Sequence, residues 1–167
     1  MNNKMVIYTS VFLILVVGLV YLIASPKSQS KAEATVNQNQ LVVDAGSFDF
    51  GTVNMKDGRV SHKFSIKNLG ESLLVINKVY TSCMCTEAEV ITSSGGRFGP
   101  YGMPGHGSLS TRRVEIAPNE DFVVEAIFDP AAHGPSGVGL ASRTVYLETN
   151  STLNPRLELY FSANVIN

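Results

Sequence analysis

The sequence has no tryptophan, only two cysteines and few charges, with Asp, Glu, Lys and Arg at 16% of its 167 residues against about 25% in average soluble domains. Thirteen Lys and Arg stand against 14 Asp and Glu, for a net charge of −1. The basic excess that phosphate-backbone binding needs is missing, which excludes nucleic acid as a partner. Cys83 and Cys85 are separated by one residue, so the bridge between distant strands that staples many immunoglobulin domains is excluded too. Also absent are a Ser-His-Asp order, a nucleophile elbow, a phosphate loop and carboxylates paired at a readable spacing. The chain therefore reads as non-enzymatic. Its length leaves room for one ordinary domain and a short appendage.

Hydrophobic residues make up 44% of the chain and are concentrated at one end. Met5 to Ala24 (MVIYTSVFLILVVGLVYLIA) is 20 residues without a charge. At about 1.5 Å per residue, a helix of that length matches a hydrocarbon core of about 30 Å. A cleaved signal peptide has a shorter apolar core, and Ala24, Ser25 and Pro26 match a cleavage site only loosely. We read residues 5–24 as a transmembrane signal-anchor helix behind a tail of residues 1–4. Lys4 and the terminal amine face Lys27 and Lys31 across it, which barely separates the two flanks. The short N-terminus places the rest of the chain outside the cytoplasm. Residues 25–40 (SPKSQSKAEATVNQNQ) have the composition of a flexible polar linker. Residues 41–167 hold 10 Lys or Arg and 13 Asp or Glu, or −3, and that balance identifies no ligand.

From Leu41 onward the apolar period is two. Val60, His62, Phe64 and Ile66 alternate with Ser61, Lys63, Ser65 and Lys67, as in a strand with one dry and one wet face. Leu73–Tyr80 reads as a strand buried on both faces, and Phe122–Phe128 as one that Asp129-Pro130 ends. Arg143–Thr149 and Leu157–Ala163 repeat the scheme. With Phe48–Val53, Cys83–Val90 and Arg113–Ile116, this predicts seven or eight short strands in an all-β, immunoglobulin-like antiparallel sandwich over 41–167, without a helix. Two Gly- and Pro-rich stretches interrupt the strands, Thr92–Arg112 and Ala131–Leu140. Rigid sandwiches carry binding residues on such loops.

In an extended strand Cys83 and Cys85 would share a face with Cα atoms about 6.6–6.8 Å apart, at the edge of disulfide geometry. They are then a dithiol, a labile disulfide, half of a metal site, or two small buried thiols that bind nothing. Soft thiolates favour Cu(I) and Zn, and imidazole or thioether completes such a shell. The candidates to complete it are His106, with Met103 and His133, and Met84. Cys-x-Cys alone lacks the four-ligand spacing of a readable zinc site. His62 lies on an apolar face and reads as a core or edge residue, while Asp49, Asp129 and Glu87 read as turn or strand-end residues.

Phe48-Asp49-Phe50-Gly51-Thr52-Val53, Val60–Asn68, Leu74-Val75-Ile76, Thr81-Ser82-Cys83-Met84-Cys85-Thr86, Phe128-Asp129-Pro130 and Thr149-Asn150 together resemble the domain-of-unknown-function family 1573. The resemblance spans nearly all of 41–167. It implies a bacterial immunoglobulin-like module, similar in shape to major sperm protein and abnormal-spindle type domains, exported or membrane-anchored and without an established activity. Met84 stands where Gly is common in that family, and the 92–112 stretch is longer than its usual turn. The leading expectation is a membrane-tethered, extracytoplasmic scaffold that binds an envelope protein through loops or a sheet edge. The alternatives are copper or zinc binding through Cys83, Cys85, His106, Met103 and His133, and thiol exchange by the cysteine pair.

Overall fold

The computed structural model describes Leu13, residues 40–106, Ser110 and residues 112–167. The helix expected over 5–24 and the linker over 25–40 lie, but for Leu13 and Gln40, outside the described residues. Among the described residues no helix is long and apolar enough to cross a membrane.

Ten strands build two five-stranded sheets: β1 (Leu41–Val43), β2 (Ser47–Asn54), β3 (Val60–Asn68), β4 (Leu74–Thr81), β5 (Thr86–Thr92), β6 (Arg97–Tyr101), β7 (Val114–Ile116), β8 (Asp121–Phe128), β9 (Gly139–Thr149) and β10 (Arg156–Ile166). One sheet runs β1-β3-β8-β5-β6 and the other β2-β10-β9-β4-β7. From residue 40 onward, helical structure among the described residues is confined to two short 3-10 turns, Met55–Asp57 and Gly134–Gly137. The period-two reading locates eight of these strands. It misses the three-residue β1 and also β6, which lies inside the stretch expected to be a loop.

The alternation has its physical counterpart in burial. In β3, Phe64 and Ile66 are buried while Ser61, Lys63 and Ser65 are exposed. In β8, Phe122, Val124, Ala126 and Phe128 all face inward. Phe161 of β10 meets the Phe50 ring edge-on at 5.4 Å and the Phe128 ring at 5.5 Å, joining the two sheets. β4 is not dry on both faces as expected, because Asn77 and Lys78 are exposed.

His62 is half-buried, stacked on Phe48 at 3.7 Å between ring centroids and set edge-on to Phe64 at 4.7 Å. Burial lowers its pKa, in keeping with an edge residue. Asn68 is fully buried. Its amide donates to the Ser72 and Ala117 carbonyls at 3.2 and 3.0 Å and accepts from the Gly70 N–H at 3.1 Å. Asn68→Ala would strand these groups away from water. It is expected to lower the unfolding free energy by about 1–3 kcal/mol, read from urea denaturation, whereas no change would mean water replaces the amide.

Candidate metal centre

Cys83 and Cys85 do not stand on a strand, as the period-two reading predicts. β4 ends at Thr81, and the Thr86 N–H reaches back to the Cys83 carbonyl at 3.1 Å, closing a turn before β5 begins. The Thr81 hydroxyl ties both ends of this turn, donating to the carbonyls of Cys83 at 3.0 Å and Thr86 at 2.9 Å. A strand would splay the two side chains along its length, but the turn folds them together. The Cys85 thiol donates to the Cys83 sulfur at 2.7 Å, and the Cys85 N–H points to that sulfur at 3.5 Å. Both cysteines are free. Cys85 is buried at 3% exposure within the core, while Cys83 is half-buried at its rim.

A second loop supplies the imidazole. β8 ends against β5 with Phe128 opposite Thr86, and the Asp129 N–H then donates to the Cys85 carbonyl at 2.8 Å. The Asp129 carboxylate caps the following turn by accepting the Ala131 N–H at 2.8 Å. That turn carries His133 over the cysteines, with Nε2 3.3 Å from Cys83 Sγ. Ligand atoms of Cys83, Cys85 and His133 all lie within 4.8 Å of one another. With metal–sulfur and metal–nitrogen bonds of about 2.3 and 2.0 Å, a trigonal centre would hold sulfur about 4.0 Å from sulfur and about 3.7 Å from nitrogen. Thiol rotation about Cα–Cβ covers the differences.

Arg143 completes the site. In β9, Ala141, Val145 and Leu147 face the core, and period two puts Arg143 in phase with them. Its Nε donates to Cys85 Sγ at 3.0 Å and one terminal nitrogen donates to the Ser142 carbonyl at 2.8 Å. No carboxylate among the described residues forms an ion pair with it. A cation on an apolar stripe is readable in the sequence, but strand periodicity alone does not say what it meets.

These contacts split the two thiols. Burial pushes the Cys83 thiol up, but hydrogen bonds from the Cys85 side chain and N–H and from His133, with the Arg143 charge, outweigh it and hold Cys83 at about 7. Burial pushes the Cys85 thiol up, and its hydrogen bond to Cys83 adds to the rise against Arg143. The thiolate is the reactive form. Metal-free protein is therefore expected to be alkylated by one equivalent of iodoacetamide with a rate that rises through about pH 7, the second thiol reacting only at higher pH or on unfolding. Two equal rates with ordinary thiol titration would contradict this arrangement.

His106 is not among the His and Cys ligands that the structure brings together. Gly102 accepts the Thr81 N–H at 3.2 Å, so the stretch after β6 starts near the cysteines. It then folds along β4, where Pro104, Ser110 and Arg112 line a hollow with Lys78 and Tyr80. His106 is exposed and turns back to the Met103 carbonyl through its own N–H, while Met103 is half-buried. A larger cleft of about 510 Å³, between Val42, Ile66, Ile91 and Phe122, lies at the other end of the sheet from Cys85.

The fold and this end of it define a β-sandwich carrying a thiol, thiol and imidazole cluster on its loops. Residues 41–95 match the model of a family described as Protein of unknown function (DUF1573), in agreement with the motifs on β2 to β5. No curated protein matches the chain. Among solved structures it is similar to a protein of unknown function from Porphyromonas gingivalis W83, at 15% identity and a TM-score of 0.57, covering 81% of this chain and 51% of that one. The chain thus spans about half the length of that protein, and the likeness is one of fold. PapD-like domain 7 of human CEP192 (an ASH / PapD-like domain) aligns at 15% identity and a TM-score of 0.46, covering 78% of this chain and 87% of that one. The periplasmic chaperone SfaE aligns at 6% identity and 0.40, covering 77% and 59%.

Proposed function

We propose that this chain is a membrane-tethered, extracytoplasmic, non-enzymatic module of immunoglobulin-like shape whose loops hold a soft metal ion, copper or zinc, through Cys83, Cys85 and His133. The convergence of these three ligands from two loops within 4.8 Å carries the reading. Two thiols and an imidazole are the donor set that soft ions select. The tether rests on the uncharged run of residues 5–24 and the polar composition of 25–40.

Capture of an envelope protein along a sheet edge is the competing reading. β2 has β10 as its single neighbour in the sheet, which offers an edge. However, Gly51, at φ +67°, lies where β2 sets two residues against Ala163 of β10. Such a bulge twists an edge and blunts strand addition. The bulge argues against capture along β2, and the convergence of three soft ligands supports the metal.

The test is equilibrium dialysis of the anaerobically purified full chain against buffered Cu(I) and Zn(II), followed by alkylation. One retained equivalent with both thiols protected is expected. No retained metal, with Cys83 still freely alkylated, would overturn the reading and return the search to the sheet edge.

A further inference from the structure

Resting on the metal reading above, the geometry points to Arg143 as the residue that sets the charge of the ion held, making this a site for a monocation, Cu(I), over a dication. Two thiolates and one neutral imidazole around Cu(I) carry −1, which the guanidinium beside Cys85 balances. The same ligands around Zn(II) carry zero, and Arg143 then remains as an unbalanced cation.

Three observations put that cation where it matters. Its Nε is 3.0 Å from Cys85 Sγ. Arg143 is half-buried on the core-facing phase of β9, opposite the buried Phe161. Among the described residues no carboxylate forms an ion pair with it, and Glu87 pairs with Arg59 at 2.5 Å instead. An arginine facing a core without a carboxylate is costly unless an anion meets it. Here the anionic partner is the cysteine pair, whose Cys85 sulfur the Nε–H meets and which becomes a dithiolate when metal binds.

Coordination number points the same way. The group of Cys and His ligands has three members among the described residues. Three soft donors satisfy Cu(I), whereas Zn(II) is almost always four-coordinate and would need a further ligand. Binding releases to solvent whichever protons the two thiols still carry, and no electron is transferred.

The experiment is competition titration of the full chain, kept anaerobic, with Cu(I) and Zn(II) held by chelators of known affinity. It compares the native chain with Arg143→Met, Arg143→Gln and Arg143→Lys. The ratio of Cu(I) to Zn(II) affinity is the readout, because a packing role would move both metals together. Arg143→Met and Arg143→Gln are expected to lower that ratio about tenfold or more, while Arg143→Lys keeps most of it. In the native chain Ag(I), a redox-inert monocation, should follow Cu(I), and Cd(II), a soft dication, should follow Zn(II). That comparison serves even if a neutral variant fails to fold. Metal binding with a ratio unmoved in the neutral variants, or Cd(II) held as tightly as Ag(I), would overturn the role of Arg143 and leave the metal site standing. Failure of the native chain to bind any of the four ions would overturn both.

Discussion

Cys83→Ser is expected to abolish stoichiometric binding of Cu(I) and Zn(II), a loss of at least a hundredfold in affinity, and to leave the sandwich folded. Cys83 sits half-buried at the rim, so serine strands little, and the change in unfolding free energy should stay within about 1 kcal/mol. The turn survives because its ties are the Thr86 N–H and the Thr81 hydroxyl, neither of which uses the sulfur. Metal analysis after gel filtration, beside a thermal melt, reads both quantities. Cys85→Ser should lose metal equally but cost more stability, because that side chain belongs to the core and receives the Arg143 Nε–H. Retained metal in Cys83→Ser would move the site elsewhere.

Phe161→Ala is expected to be the most damaging core change, costing about 3–5 kcal/mol. The ring is 2% exposed and touches Phe50 and Phe128 from the other strands. Its removal opens a cavity between the two sheets which stiff β-strands cannot close. Phe161 also pairs with Arg143 across β9 and β10, so its loss should loosen the metal end as well. Urea denaturation at fixed pH is the measurement. A cost under about 1 kcal/mol would mean that the sheets close over the gap.

Much of the sandwich was legible because burial follows backbone period. Phe64 and Ile66 against Lys63 and Ser65, and Phe122 through Phe128, carry a two-residue rhythm that fixes which face is dry. β6 was not legible, since Arg97-Phe98-Gly99-Pro100-Tyr101 has no such rhythm and is held as an edge by pairing with β5. At the candidate site, the cysteines and His133 were recognisable as soft ligands by residue type. Their proximity was not, because it depends on a turn at 82–85 that the neighbouring strand residues disguise. By residue type His106 is as suitable as His133, and only the path of its loop keeps it out of the group. Arg143 reads from the sequence as one more strand residue, although its phase with Ala141 and Val145 marks it as facing inward.

The most direct test of the metal centre is an X-ray absorption spectrum of the full chain loaded with one equivalent of Cu(I) under anaerobic conditions. Cys83, Cys85 and His133 as ligands require a three-coordinate edge, two sulfur scatterers at about 2.3 Å and one imidazole nitrogen at about 2.0 Å, with the imidazole signal lost in His133→Ala. A first shell without imidazole, or one unchanged in His133→Ala, would contradict the site.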